Sequence, residues 1–490
     1  MFDDLDGGVQ RRSYEAMATR AALTAGVLAR HGIGRGDRIH VHLWNRPEFF
    51  DLWFGAAWLG AAIVPTNPLL TAGELTYVVG HAGPKLSVTQ PDLLGPVSSV
   101  VGDRPVLVTG EPVHGAGSLD EELARASAVD PRHPAPTDVA AVLYTSGTTS
   151  RPKGVLVTHA NYLHVGEVVA QHLRVNPRDS MLITLPLFHA NAQYYSTMSA
   201  LVTGSSVIVM ARFSASRWAS VAAHHHATLA SLFAAPIRML LAQPHNDDDA
   251  RNQLRAVLFS QNVTEAQLKE FEERFDCPLL QLYGMTETIA PPTLNPLHGE
   301  RRNMSIGRPT LGARLRVVGE DGTDMSGGEV GELLVGGEPG ATLMAGYLGD
   351  EEATQSTVTD GWLHTGDNVR VDEDGYFHFV DRTKDMIKRA GENVAASEIE
   401  SVINAHPSVF ESAAIGVPDA MRDEAIKVFV ALANETNVTE DELIEWCTSR
   451  LAAFKVPSSI EFVDGLPRTS VGKIQKEELR QGRASGWGEG

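Results

Sequence analysis

Short apolar, β-branched runs recur through the first half of this chain with amphipathic stretches between them, and that alternation restricts the fold more than any other feature. Ala140–Tyr144, Met181–Leu185, Ser206–Met210, Ala256–Ser260 and Leu279–Tyr283 read as buried strands. Ala215–His225 and Thr264–Phe275 read as the helices between them. Such alternation builds parallel βα units whose sheets are covered on both faces. The expected class is therefore α/β, with doubly wound subdomains. From Arg314 the texture changes. Leu315–Val318, a turn at Glu320–Gly322 and Gly331–Val335 alternate around Gly and Asp, the pattern of a small antiparallel, barrel-like sheet. After Asp381 a compact α+β unit is outlined by helix Ser397–Ala405, strands Ser412–Val417 and Ile426–Ala431, and helix Glu440–Leu451. The Gly-rich tail after Gln481 is expected to be disordered.

Length and charge narrow the partners. A chain of 490 residues exceeds what one hydrophobic core usually supports, so several domains are expected. The net charge of −20 argues against nucleic acid or an acidic membrane as a partner, because both need a basic face. An anionic ligand must instead meet local cations or backbone amides. Cys277 and Cys447 are too few for a disulfide framework. The opening MFDDLDGG has no apolar signal-like core, and no run approaches the roughly 18 apolar residues of a membrane span. A cytoplasmic location is expected, and a homodimer is left open. The His224-His225-His226 run suggests a metal cluster only superficially. Adjacent side chains diverge and no carboxylate or Cys accompanies them, so it reads as a helix end.

The strongest chemical signal is Leu143–Val155, LYTSGTTSRPKGV. A strand end leads into Thr145, Ser146, Gly147, Thr148 and Thr149, followed by Lys153 and Gly154. Small residues let consecutive N–H groups converge on phosphate oxygens, hydroxyls add donors and lysine supplies charge. A Ser/Thr/Gly hairpin turn would show the same composition. Lys153 is followed by Gly154, which fails the Walker pattern and disfavours an ordinary P-loop NTPase.

TSGTTSRPKG resembles the phosphate loop of the adenylate-forming superfamily, which includes acyl- and aryl-CoA ligases, luciferases and nonribosomal adenylation domains. YGMTET (Tyr283–Thr288), GWLHTGD (Gly361–Asp367), DRTKDMIKRAGENVAASEIE (Asp381–Glu400) and LPRTSVGKI (Leu466–Ile474) match further motifs of that family in the same order. The branch most similar is the carnitine/crotonobetaine-CoA ligase-like one. The resemblance implies an N-terminal AMP-binding domain over 1–380, a hinge at 381–384 and a mobile lid over 385–490. It also implies ATP, Mg²⁺ and coenzyme A as ligands, with a carboxylic acid activated as acyl-AMP and passed to the CoA thiol.

Roles follow from the resemblance position by position. Lys473 is the expected electrostatic catalyst of adenylation, and Lys388 belongs to the loop that replaces it for thioester formation. Lys384 is the hinge residue, and Gly391, Glu392 and Asn393 belong to the CoA channel, where a missing side chain at Gly391 allows close approach. Glu287 would hold Mg²⁺ through the phosphates. Tyr283 with Gly284 would face the adenine, Thr286 the α-phosphate, and Asp367 with Arg382 the ribose. Ser260, Gln261 and Asn262 form the adenine-side loop. His189, Gln193, Phe233 and Met285 are expected around the acyl group, His189 as a gate.

Three departures accompany the match. Ser150-Arg151 replaces the usual glycine-first pair, Ser260–Val263 lacks a glycine-rich string, and the segment before SYEAMA is short. The first two raise a reading in which the enzyme favours thioesterification of a preformed acyl-AMP. Between His189 and Gln193 the chain offers Ala190, Asn191 and Ala192 but no carboxylate. A quaternary ammonium wants an anion or an aromatic cage, for which Tyr194 and Phe233 are the aromatic candidates. Ala192, Ala234 and Ala235 leave room, so the expected acid is bulky and hydrophobic. A carrier-protein-loading adenylation enzyme and a non-catalytic ligand-binding protein are the remaining readings.

Overall fold

The computed structural model describes residues 1–145, 152–260, 263–382, 385–389, 392–419, 423–433, 436–468 and 474–482, with backbone only at Lys388, Glu392, Asn393 and Asp423. Of the positions singled out above, Ser146, Gly147, Thr148, Thr149, Ser150, Arg151, Gln261, Asn262, Lys384, Gly391 and Lys473 lie outside the described residues, as does the tail from residue 483.

Among the described residues the strands form four sheets. In the first, Arg38–His42 pairs in parallel with Ala62–Pro65 and Leu86–Thr89, and the hairpin Val139–Thr145/Lys153–Thr158 joins one side. In the second, Ser206–Met210, Ser180–Ile183, Leu229–Phe233, Ala256–Ser260 and Leu279–Tyr283 run parallel in that spatial order. These are the expected doubly wound subdomains, and three of the strands coincide with their sequence limits. One hydrophobic cluster contains Ile39 and Val41 of the first sheet and Met181 and Leu258 of the second, so the two share a core. The helices start where their caps place them. Thr264 accepts from Gln267 N and Gln267 answers at the cap backbone, a capping box that opens Glu265–Phe275.

A third, antiparallel sheet joins Arg314–Val318, Gly331–Gly336, Trp362–Val371, Val358–Thr359 and Phe377–Arg382. It docks through Gly307, where φ is +92° and a Cβ would lie 2.2 Å from the Leu294 carbonyl carbon, so only glycine fits. The smaller C-terminal domain holds the fourth sheet, with Val409–Asp419 and Asp423–Leu432 paired antiparallel and flanked by helices Ala396–Asn404 and Glu440–Thr448. Its core is a separate cluster around Ile399, Ile403, Val428 and Leu443.

One outcome differs from the sequence reading. The histidine run does close a helix, Trp218–His224, but His225 has a carboxylate partner. Its Nε2 meets Asp3 Oδ2 at 2.7 Å, because Phe2–Asp3 adds a short parallel strand beside Ser206–Met210. Ala192–Met198, on which the sequence pattern placed no element, forms a π-helix.

Histidines 40 and 42 sit on the central strand of the first sheet and share one hydroxyl. His40 Nε2 and His42 Nδ1 each lie 2.8 Å from Thr66 Oγ1. Burial first, and the neighbouring charges of His42 and Arg104 next, push His40 down to about 3; burial pushes His42 down to about 4 against the opposing pull of Asp92. Between those values and the ordinary 6.5 the unfolded chain takes up protons that the folded chain refuses. Stability from this pair is complete above pH 6.5 and drains away as pH falls toward 4. The thermal unfolding midpoint should fall steadily from pH 7 to pH 5, and His40→Gln should flatten that slope. A midpoint independent of pH over this range would contradict the arrangement.

Candidate active site

Parallel strands present their carboxyl ends to ligands in open α/β sheets. Phe233 and Ser260 are the last residues of their strands and lie in register, and Tyr283 ends the next strand. All three were singled out from sequence, and the sheet brings them to one edge. Ser260 and Phe233 are half-buried there.

Of the phosphate-loop candidates, Thr145 and Lys153 lie in an antiparallel hairpin. Thr145 pairs with Lys153 and Tyr144 with Gly154, which closes the ends of the intervening loop. Gly154 is needed for that closure, since a Cβ would lie 2.8 Å from Val142 Cγ1. Strand Gly346–Tyr347 pairs with the outer side of the hairpin at Val155 and Leu156. This pairing sets the Tyr347 ring 4.7 Å from Lys153 Nζ, within cation–π range. The Tyr347 hydroxyl donates to Glu287 Oε1 at 3.0 Å. Burial and the Glu287 charge raise the phenol well above its ordinary value, so it stays protonated and donating. Tyr347 carries no local sequence signal; its position depends on a strand pairing with a distant hairpin.

Glu287 is buried, 6% exposed, in the turn that follows Tyr283. Its carbonyl accepts from Met344 N at 3.0 Å, and Met285 N donates to Thr288 Oγ1 at 3.2 Å. Ile289 has φ +63°, rare for a β-branched residue, so the turn carries strain next to the buried carboxylate. Gly284 makes room for Tyr195, whose hydroxyl would stand 2.6 Å from a Cβ. A single buried carboxylate suits Mg²⁺, which takes hard oxygens and usually completes its shell with phosphates and water. Among the described residues no group of three His, Cys, Asp or Glu forms a protein-only cage.

A second cluster lies where the third sheet meets Tyr283. Asp367 and Arg382 are cross-strand neighbours, with Arg382 Nε 3.4 Å from Asp367 Oδ1. The Tyr283 hydroxyl donates to Asp367 Oδ2 at 2.5 Å. Burial, then the Asp367 charge, drive the Tyr283 phenol upward. An acceptor pair and a guanidinium at a half-open edge suit vicinal hydroxyls.

The acyl-side candidates divide. His189 is half-buried, its ring 4.3 Å from that of Phe188. Gln193 is fully buried with its amide engaged at both ends: Tyr162 Oη donates to Oε1 at 2.5 Å, and Nε2 donates to Leu187 O at 2.7 Å. Tyr194, offered above as part of a cage, is fully buried with its hydroxyl toward Thr286 O at 3.4 Å, so it presents no free ring face. Met285 is half-buried against the core of the third sheet. The π-helix Ala192–Met198, which carries Gln193, is a local under-winding of the kind often found beside functional sites. Lys388 and Asn393 face each other across the backbone ladder of hairpin Met386–Arg389/Glu392–Ala395, and Arg389 faces Glu392.

Comparisons with known proteins agree with this geometry. A sequence profile of the AMP-binding enzyme family matches residues 2–348, and that of the AMP-binding enzyme C-terminal domain matches residues 398–473. The chain is 36% identical to the crotonobetaine/carnitine–CoA ligase of Salmonella enteritidis PT4 (strain P125109), covering 98% of this chain and 95% of that protein. ATP-bound MatB from Rhodopseudomonas palustris is similar in structure, with a TM-score of 0.87 and 30% identity over 96% of this chain and 93% of that one. So is the o-succinylbenzoate CoA synthetase MenE from Bacillus subtilis in complex with its acyl-adenylate intermediate, with a TM-score of 0.86 and 26% identity over 98% and 94%. This chain belongs to the AMP-binding enzyme family.

Proposed function

We propose that this protein is an AMP-forming acid–thiol ligase, an acyl-CoA synthetase. The observation that carries the reading is the buried Glu287 tied by Tyr347 to Lys153, beside the Tyr283–Asp367–Arg382 cluster. A carboxylate oxygen of the acid attacks the α-phosphorus of ATP and the bond to pyrophosphate breaks. The CoA sulfur then attacks the acyl carbon, the bond to the AMP oxygen breaks, and the thiol proton is lost.

The first step joins two anions, so positioned cations matter more than acid–base groups. Lys153 and the loop Thr145–Thr149 bind the phosphates, and Lys473 bridges the carboxylate and α-phosphate. Glu287 holds Mg²⁺, which when bound screens the phosphate charge. Asp367 and Arg382 fix the ribose, with Tyr283 bracing Asp367, and Tyr283, Gly284 and Ser260–Asn262 border the adenine. Thr286 faces the α-phosphate. His189, Phe233 and Met285 border the acyl group, while Gln193 supports that wall from within the core. The lid, 385–490, turns about 381–384 at Lys384, exchanging Lys473 for the surface of Lys388, Gly391, Glu392 and Asn393.

A bulky hydrophobic acid is favoured over a quaternary ammonium one, because Tyr194 is unavailable as a cage wall and no carboxylate stands between His189 and Gln193. Likeness to complete CoA ligases over nearly the whole chain disfavours the thioesterification-only, carrier-loading and non-catalytic readings. The enzyme would act in the cytoplasm, where ATP and CoA meet, without a membrane or nucleic-acid partner.

Mass spectrometry of products from decanoate, benzoate, o-succinylbenzoate, crotonobetaine and carnitine, each with ATP and CoA, tests the reading. Acyl-CoA and AMP are expected from a hydrophobic acid, and a tenfold preference for carnitine or crotonobetaine would overturn that choice. Lys473→Ala should cut ATP–pyrophosphate exchange by at least about a hundredfold, the scale of one lost transition-state contact, and spare thioester formation from synthetic acyl-AMP. Equal loss in both assays would refute its role. Tyr283→Phe should leave the adenine wall intact and weaken AMP binding by about tenfold, because Asp367 loses a charge-assisted hydrogen bond; unchanged affinity in calorimetry would show that this bond does not brace the ribose site.

A further inference from the structure

Helix Ala396–Asn404 starts without a side-chain cap of its own. Its N-cap residue is Ala395, which makes no side-chain hydrogen bond to the first turn. The early N–H groups of a helix need acceptors, and a buried one left without costs stability. Here the acceptor comes from the other side of the proposed pivot. Ser397 N donates to Asp381 Oδ2 at 3.0 Å, Arg382 N donates to Asp381 Oδ1 at 2.8 Å, and Ser397 Oγ donates to Val380 O. Asp381 is 3% exposed and is the last residue but one of strand Phe377–Arg382, one residue before the guanidinium that meets Asp367.

The other side of the contact is braced within the C-terminal domain. Lys476 Nζ lies 2.8 Å from Glu400 Oε1 on the same capped helix, and Glu400 also accepts from Ala414 N at 2.8 Å. Arg480, on the same short helix as Lys476, lies 2.7 Å from Asp385 Oδ1. Arg468, at the start of the LPRTSVGKI motif, lies close enough to Arg238 of helix Ala234–Leu241 for that charge to lower its affinity for a proton, after burial. Arg468 therefore lies toward the helix that follows Phe233.

We propose that Asp381 is a positioning residue for the first half reaction: it caps a helix of the C-terminal domain from the N-terminal side of Lys384 and holds that domain with Arg468 toward helix Ala234–Leu241. The inference rests on the domain rotation proposed above. Rotation at Lys384 separates Asp381 from Ser397, so the cap exists in one orientation only. It favours adenylation and must open before CoA reacts.

Asp381→Ala, Asp381→Asn and the wild type separate this from a merely structural role. The probe is the panel acid with the fastest ATP–pyrophosphate exchange, together with its synthetic acyl-AMP. Asp381→Ala should slow that exchange by about tenfold, the scale of a lost helix cap. ATP KM should stay within about twofold and thioester formation at or above the wild-type rate. Amide hydrogen exchange at Ser397 should quicken, and Asp381→Asn, which keeps an acceptor, should restore most of both. Equal losses in the two half reactions, or a Ser397 amide as protected as in the wild type, would overturn the proposal. If no panel acid supports exchange in the wild type, the ligase reading falls on its own, while the Ser397 amide still decides whether Asp381 caps the helix.

Discussion

The hydrogen bond from Tyr347 to Glu287 joins two parts of the molecule that share no strand. Glu287 follows the last parallel strand of one large sheet, and Tyr347 lies on a strand paired with the outer side of the phosphate-loop hairpin of the other. A carboxylate held at 6% exposure loses most of its hydration, and that cost is offset only by donors fixed around it. The tyrosine supplies one, and the same ring lies within reach of the Lys153 ammonium. The register of a two-residue strand therefore fixes cation, ring and carboxylate relative to one another. Rigid placement of this kind is what electrostatic catalysis requires, because charges that need not reorganise stabilise a transition state most.

The net charge of −20 makes such local order necessary. A triphosphate meets an overall repulsive field, so affinity must come from a few cations and amides concentrated in a cleft rather than from the surface at large. The two clusters divide that work by chemistry. Around Glu287 and Lys153 the groups suit phosphate and metal. Around Asp367 and Arg382 they suit hydroxyls, with Tyr283 between the two as the end of a strand and a partner of Asp367.

Strands such as Ser206–Met210, Ala256–Ser260 and Leu279–Tyr283 were legible to the residue, because apolar β-branched runs bounded by polar residues leave little choice of limits. Helix starts were legible where a capping box marks them, as at Thr264. What sequence patterns missed were pairings between distant segments. Asp3 beneath His225 depends on a terminal strand of two residues, and Tyr347 beneath Lys153 on another. Tyr194 looked available because aromatic character says nothing of which face is covered; the π-helix turns it into the core, its hydroxyl toward Thr286 O. Of the candidate site, the motif residues Tyr283, Asp367 and Arg382 were legible through their resemblance to a known family, and the bond that unites them was not.

The same contrast between local pattern and distant pairing bears on motion. The two large sheets that flank Glu287 and Lys153 share one core, whereas the C-terminal domain has a core of its own. Separate cores let two bodies move with little internal loss, so an orientation is chosen by the few polar contacts that cross between them. Asp381 makes such a contact beside Arg382, in the strand that also supplies the guanidinium of the ribose-side pair. A contact of that size favours one orientation without locking it, since helix caps contribute only about 0.5–2 kcal/mol. Two half reactions in one cleft need that balance: a stronger latch would trap the domain after adenylation, and none would leave the first step to chance encounters of a loosely held lid.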